Sequence, residues 1–281
     1  MTVLRAATDL LASRWGVAVA VHAVWVDHRD RSVIRSVDPL GRPVVIKADR
    51  NFTRLQSEAR ALAAVAAAGV PVPLVLEQMD TSPAVLVLEY VRGQSLSSTS
   101  GSGHWREVGR QLRRLHDHAS PKGFPVFGGE ASWWGSLRSL AEQSHRWCRE
   151  RQLVNRHTLD RLAACMRDAF ARDDEPGDCL VHGDCGPYHW LLRKDTVVAV
   201  LDFGDAARGD PCWDLAVLTL NDRDRLAAVL DGYDMDKAMR DHLESTLVPY
   251  TVIRHLLAIW WLVEHDFDPA PTVAELDRLA R

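Results

Sequence analysis

Two short apolar runs, each ending in an acidic turn, constrain this chain more than any other feature. Cys179-Leu180-Val181 leads into His182-Gly183-Asp184, and Val197 to Leu201 leads into Asp202-Phe203-Gly204-Asp205. Runs of this kind, apolar and followed by a glycine-containing turn, read as buried strands. Each acid then stands on a loop just past a rigid element, which fixes its position closely. A histidine, His189, lies five residues after Asp184 and thirteen before Asp202.

Carboxylates held in this way suit phosphoryl transfer, in which one orients a hydroxyl nucleophile and another holds Mg²⁺ against phosphates. Taken alone, His-Gly-Asp is a common turn and Asp-Phe-Gly arises by chance, so order and company carry the argument. Pro43-Val44-Val45-Ile46-Lys47 is a β-branched run closed by a lysine. The chain has lysines only at 47, 122, 194 and 237 among 34 basic residues, so Lys47 stands out in a protein that otherwise chooses arginine. The segment from Asn51 to Val65 follows. Thr53 with Gln56 reads as a capping box, Leu55, Ala59, Leu62 and Val65 share one helical face, and Gly69 marks the stop. Glu58 lies on the first turns of that helix, eleven residues past Lys47 and able to pair with it. The competing reading is an exposed glutamate favoured by the helix dipole. Ala84 to Glu89 is an apolar strand that breaks into Tyr90-Val91-Arg92-Gly93, a connector whose Glu89 carbonyl and Val91 amide suit an adenine edge.

The series Val-Val-Ile-Lys ending at Lys47, the helix with Glu58, Leu88-Glu89-Tyr90-Val91-Arg92-Gly93, Gly109 to His116, the His-Gly-Asp loop, and Leu201-Asp202-Phe203-Gly204 followed by Gly209-Asp210-Pro211-Cys212-Trp213-Asp214 resembles the aminoglycoside phosphotransferase family. The resemblance runs over roughly residues 30 to 216. It implies an α+β, protein-kinase-like fold with a small β-rich N-lobe, residues 1–93 with a hinge at 89–93, and a larger mainly helical C-lobe, residues 94–281. It implies that Asp184 is the general base, that Asp202 is the Mg²⁺ ligand, and that Lys47, held by Glu58, touches the α- and β-phosphates of ATP or GTP. Asp214 and His182 take structural roles bracing the loop. Asp210-Pro211 also reads, from its residues, as a helix N-cap followed by proline.

Two departures from the family stand out. Position 189 is His where the family has Asn, which makes His189 a candidate metal ligand and resembles macrolide phosphotransferases; Mg²⁺ prefers oxygen, so metal preference is expected to shift. The segment Asp27 to Ser32, between strands expected at about Ala20 to Val26 and Ser32 to Val37, has no glycine. Ser32 or Arg31 is expected to meet phosphate in place of glycine-loop amides.

At 281 residues, 26% charged and net −4, the chain suits a cytoplasmic enzyme without a signal peptide, with no apolar run expected to span a membrane and no nucleic-acid partner. Five cysteines without a Cys-x-x-Cys pair argue for reduced, mostly buried thiols. Ser95 to Gly103 reads as a flexible linker. Helices are expected at Trp105 to His118, Trp134 to Arg151, Asn155 to Ala171, Asp210 to Asn221 and Arg223 to Asp231, over Asp236 to His265 in at least two pieces, and from Thr272.

The candidate substrate residues are Asp205 and the acidic, aromatic stretch Trp260, Trp261, Glu264, Asp266 and Asp268. They would attract and stack on a cationic antibiotic, although core packing and a solvated turn explain the same residues. His189, the length and the tryptophan-rich second lobe point within the family to tuberactinomycins, the capreomycin and viomycin group. Aminoglycosides and macrolides are the other antibiotic substrates weighed. A kinase of small alcohols such as choline, homoserine or an amino sugar is the alternative enzyme, and a catalytically inactive ligand-binding relative the alternative class. Retention of Lys47, Glu58, Asp184 and Asp202 argues against the last.

Overall fold

The computed structural model describes residues 2–96, 101–118, 124–171, 175–176, 179–220 and 222–281. They form two compact units: Met1–Leu115 with Pro187–Ala206, and His116–Gly186 with Ala207–Arg281. The first is β-rich and the second mainly helical, the α+β composition expected.

Unit 1 opens with α1 (Val3–Trp15), stopped by Gly16 in the left-handed region. A five-stranded antiparallel sheet follows, built from β1 (Ala23–Asp27), β2 (Arg31–Val37), β3 (Pro43–Asp49), β4 (Val75–Met79) and β5 (Ala84–Glu89) in the order β1-β2-β3-β5-β4. The central strands β3 and β5 are buried nearly throughout, whereas the edges β1 and β4 expose most of their residues. That gradient is why Val-Val-Ile-Lys and Ala-Val-Leu-Val-Leu read as continuous apolar runs. Val3, Ala7 and Leu11 of α1 pack on Ile34, Val44, Ile46, Ala48, Val85 and Val87 to form one core.

Between β3 and β4 lies α2 (Phe52–Ala67), which buries Leu55, Ala59, Leu62 and Val65, the face expected. Its start differs from the expected capping box. Asn51 holds the N-cap position without a side-chain cap, and the Thr53 hydroxyl donates to Asn51 Oδ1 at 2.6 Å, so Thr53 is already inside the helix. The Asn51 amide is satisfied instead by Asp49 Oδ1 at 2.7 Å.

Unit 1 also holds β6 (Gln94–Ser95), α3 (Ser102–His116, its last residue in unit 2) and the hairpin β8 (Trp190–Arg193) with β9 (Thr196–Val200). Strand β6 pairs with β8, so the start of the expected linker is strand and its end is helix; residues 97–100 lie outside the described residues. The compact unit therefore extends past residue 93. Gly93 shows why: a Cβ there would stand 2.9 Å from Leu191 Cβ and 3.1 Å from the Leu192 carbonyl, so only glycine lets the connector lie on the hairpin.

Unit 2 comprises α4 (Trp133–Glu150), α5 (Arg156–Phe170), β7 (Cys179–Val181), β10 (Ala207–Gly209), α6 (Pro211–Thr219), α7 (Arg223–Tyr233), α8 (Lys237–Glu264) and α9 (Ala270–Leu279). The short strands β7 and β10 pair antiparallel. Trp133, Trp134, Phe170, Trp213 and Tyr250 pack as a buried aromatic core. Four of the five cysteines are buried, and none of the five forms a disulfide.

Helix α8 corrects two expectations. It runs unbroken through Pro249, because packing of Leu243, Leu247, Tyr250, Ile253 and Leu256 inside the unit offsets a lost backbone bond that costs about 3 kcal/mol. It is also long and apolar enough to cross a membrane by length and composition, with 56% of its most apolar window buried inside the protein. That burial is what the core helix of a globular unit shows.

Candidate active site

In unit 1, three candidate residues converge. Lys47 on β3 is 6% exposed, and its Nζ donates to Glu58 Oε1 at 2.5 Å and to Asp202 Oδ1 at 2.9 Å. The exposed-glutamate reading of Glu58 fails, since Glu58 is 1% exposed. Asp202 follows β9 with φ +61, a left-handed conformation that costs a non-glycine residue on the order of 1 kcal/mol and recurs at functional sites. Burial alone would raise the Asp202 pKa, but Lys47, then Arg31, then His189 hold the carboxyl well below the usual range. Burial would likewise lower the Lys47 pKa, yet Glu58 and Asp202 raise it against opposition from Arg31. Both groups are thus charged across the physiological range.

Arg31 completes this cluster. Its Nη2 lies 3.3 and 3.4 Å from the two Asp202 oxygens. Ser32, the other residue expected to meet phosphate, is 2% exposed and its hydroxyl donates to the Val26 carbonyl at 3.2 Å. The turn needs no glycine: Asp27 pairs with Ser32, the His28 amide donates to the Arg31 carbonyl at 2.8 Å, and none of the intervening residues has positive φ. His189 is buried in a 3₁₀ turn (Pro187–His189), and its carbonyl accepts from the Leu201 amide at 2.8 Å. That bond ties it to the residue preceding Asp202.

At the connector, the Glu89 and Tyr90 amides donate to the Leu74 and Pro43 carbonyls at 2.9 and 3.3 Å. Tyr90 stacks with Trp25 at 6.3 Å, and Arg35 lies over its ring. Val91 is half-buried just beyond.

In unit 2, Asp214 is fully buried and accepts from the His182 amide at 2.7 Å and the Gly183 amide at 3.0 Å. His116 Nε2 lies 3.0 Å from the same carboxylate, with His116 Nδ1 2.7 Å from the Tyr233 hydroxyl. Trp213 Nε1 donates to the Gly183 carbonyl at 2.8 Å, and Gly183 has φ +84, which glycine adopts freely. This scaffold fixes the backbone immediately before Asp184. The Asp184 side chain is half-buried, and Arg254 Nη2 of α8 donates to its Oδ1 at 2.6 Å. Asp210 caps α6 through the Cys212 amide at 2.8 Å, with Pro211 at the first helical position. Its other oxygen accepts from the Tyr250 hydroxyl at 2.5 Å and lies 2.6 Å from His242 Nε2.

The residues expected to meet substrate do not form one wall. Trp260 stacks on Trp147 at 5.7 Å, inside the helical unit. Trp261 is 50% exposed and stacks instead on His265 at 4.3 Å and Phe267 at 5.6 Å. Glu264, Asp266 and Asp268 are exposed, and Asp268 Oδ1 accepts from the Ala270 amide at the start of α9. Asp205 belongs to unit 1, 3.5 Å from Arg54 of α2.

Arg254 was not anticipated. A signal for it exists: it is the single charged residue between Glu244 and Glu264 in an otherwise apolar stretch, and such a charge in a buried helix needs a partner. His116 and Tyr233 carry no comparable mark.

Several solved structures share this fold. A thermostable mutant of aminoglycoside phosphotransferase APH(4)-Ia, in a ternary complex with ADP and hygromycin B, is 17% identical over 98% of this chain and 97% of its own, with a TM-score of 0.73. Macrolide 2'-phosphotransferase MphH from Brachybacterium faecium is 20% identical over 99% and 96%, with a TM-score of 0.65. The APH(2")-IIIa complex with GDP and kanamycin is 16% identical over 97% and 96%, with a TM-score of 0.72. At these identities the likeness establishes the protein-kinase-like fold. The phosphotransferase enzyme family model matches residues 22–245, which takes in parts of both units and Lys47, Glu58, Asp184, Asp202, Asp210 and Asp214; the chain belongs to that family of phosphotransferases.

Proposed function

We propose that the protein is an O-phosphotransferase that moves the γ-phosphoryl group of ATP to a hydroxyl of a cationic antibiotic and so confers resistance. The observation that carries the nucleotide half is the buried Lys47, bonded at once to Glu58 and Asp202. An ammonium fixed by two carboxylates is preorganised to meet phosphate oxygens, and its position costs no rearrangement at the moment of reaction. Asp202 suits a hard divalent ion, because its carboxylate stays ionised and both of its oxygens already face cationic groups of the protein. Bound there with His189 nearby, Mg²⁺ would neutralise phosphate charge.

Asp184 then orients the acceptor hydroxyl and takes its proton as the oxygen attacks the γ-phosphorus. The bond from that phosphorus to the β,γ-bridging oxygen breaks and ADP leaves. No covalent phospho-enzyme is required, since positioning and electrostatics supply most of the rate. Lys47 holds the phosphates, and the connector at Glu89 and Val91 receives the base.

The net charge of −4 and the exposed Trp261 and Phe267 stack, flanked by Glu264, Asp266 and Asp268, support a cationic acceptor. The structural relatives bound to hygromycin B and to kanamycin support an antibiotic. Within that class a tuberactinomycin such as capreomycin or viomycin is the preferred substrate, on the strength of His189 and the tryptophan-rich second unit.

The test is nucleotide consumption by purified protein, with ATP and GTP and with Mg²⁺ and Mn²⁺. The panel comprises capreomycin, viomycin, aminoglycosides, macrolides and choline, and product mass is read out. A tuberactinomycin heavier by one phosphoryl group is the expected result. Turnover of choline with silence across the antibiotics would make the protein a small-alcohol kinase instead.

A further inference from the structure

We propose that Arg31 is a phosphate-binding side chain for the nucleotide, and that in the nucleotide-free protein the same guanidinium neutralises Asp202. The inference rests on the reading that unit 1 binds a metal–nucleotide complex.

The β1–β2 turn gives the first reason. Phosphate cradles made of backbone amides need residues that alternate into the left-handed region, which lets successive N–H groups converge. No residue from His28 to Arg31 has positive φ, the His28 amide is spent on the Arg31 carbonyl, and the Asp30 carbonyl accepts from the Arg50 amide at 2.9 Å. The turn therefore does not form an amide nest, and a guanidinium beside it can supply phosphate donors in its place.

Arg31 is placed to do so. It opens β2, and its backbone is fixed opposite Asp49 in the sheet. Its side chain is about one-fifth exposed, and Nη2 reaches both oxygens of Asp202. Its Nε is buried and lacks a hydrogen-bond partner. The guanidinium is a planar fork that matches phosphate as well as carboxylate, so it has donors to bring to a second acceptor.

Charge decides when it moves. Lys47 and Arg31 balance Glu58 and Asp202, one pair against the other. A divalent cation at Asp202 would bring this neutral cluster of four to two excess positive charges, and withdrawal of one protein cation would halve that excess. Lys47 is held by Glu58 at 2.5 Å and is almost wholly buried, whereas Arg31 has a longer contact and a more exposed stem. The incoming phosphates offer Arg31 new acceptors while the metal takes Asp202. Arg31 therefore competes with the metal before nucleotide arrives and cooperates with it afterwards.

This predicts opposite shifts from one substitution, which a merely structural arginine would not produce. Arg31→Ala should weaken Mg·ADP by about 10- to 100-fold in calorimetry, the range for losing charge-assisted bonds. The same variant should bind Mn²⁺ alone several-fold more tightly by electron paramagnetic resonance. Arg31→Lys keeps the charge and loses the fork, so its ADP affinity should fall between the two. Arg31→Gln keeps the length and serves if the alanine variant melts early. Wild-type protein that binds Mg·ADP beside an Arg31→Ala or Arg31→Gln variant binding it within twofold would overturn this inference alone. Mn²⁺ and ADP weakened together would overturn it as well. Wild-type protein that binds no nucleotide would remove the functional reading and this inference with it.

Discussion

Asp202 in unit 1 and Asp184 in unit 2 are both acids on glycine-containing loops after short strands, yet the protein surrounds them differently. Asp202 sits in a strained left-handed conformation and faces two cations, Lys47 from 155 residues earlier and Arg31 from 171 residues earlier. Asp184 lies outside the left-handed region, and Arg254, 70 residues later, donates to its carboxylate. The first environment suits an acid that must stay ionised under a divalent charge. The second suits one that has to be aimed, because Asp214 and Trp213 fix the backbone beside it. Under the proposed function, local motifs of similar look would serve separate tasks, holding and orienting.

The largest expected effect separates those tasks. Asp184→Asn should lower kcat by about 10²- to 10⁴-fold, the usual contribution of a positioned acid or base, in a steady-state assay with the acceptor found in the substrate panel. Turnover at the wild-type rate would remove Asp184 from the mechanism. Arg254→Gln should cost less, roughly tenfold in kcat with the nucleotide KM unchanged, because it disturbs only the aim of the carboxylate. A change confined to nucleotide KM would place Arg254 elsewhere.

Acid should also tell the two regions apart. Beside Arg254, burial first and then Arg254 and Arg278 push the His255 pKa down to about 4. His255 stays neutral in the fold while the unfolded chain takes up its proton near pH 6.5. Its contribution to stability is therefore lost as pH falls from about 6.5 toward 4, amounting to about 1 kcal/mol by pH 5.5. Asp202 shifts stability in the same direction but in a lower window: its lowered pKa supplies stability that is present above the unfolded value near 3.8 and is lost only below it. Thermal melts at pH 7.5 and 5.5 should show a drop that His255→Asn reduces; an equal drop in both proteins would contradict the assignment. The smallest effect is at His189, where His189→Asn should keep activity and shift the Mg²⁺ and Mn²⁺ requirement by a few-fold. An unchanged metal titration would show that His189 is not a ligand.

Much of unit 1 was legible because its central strands β3 and β5 are buried nearly throughout and so read as apolar runs, and because Lys47 is rare in a chain rich in arginine. Glu58 followed from helical periodicity. What escaped is what depends on tertiary contact. Arg31 could be named as a phosphate candidate, but nothing local to it reports an acid 171 residues away. The Thr53 capping box failed because the helix already starts at Phe52, with Asn51 at the N-cap and Thr53 inside its first turn, and the break at Pro249 failed because burial outweighed local propensity. Trp260 and Trp261 looked alike in sequence, yet successive helical residues point about 100° apart, and they joined different partners.

The most direct test of this division of labour is calorimetric titration of Mg·ADP into Asp184→Asn and Asp202→Asn side by side. Binding by Asp184→Asn within about twofold of wild type, with Asp202→Asn weakened by at least tenfold, is the result expected of an acid that orients and an acid that holds. Equal affinities in the two variants would contradict it.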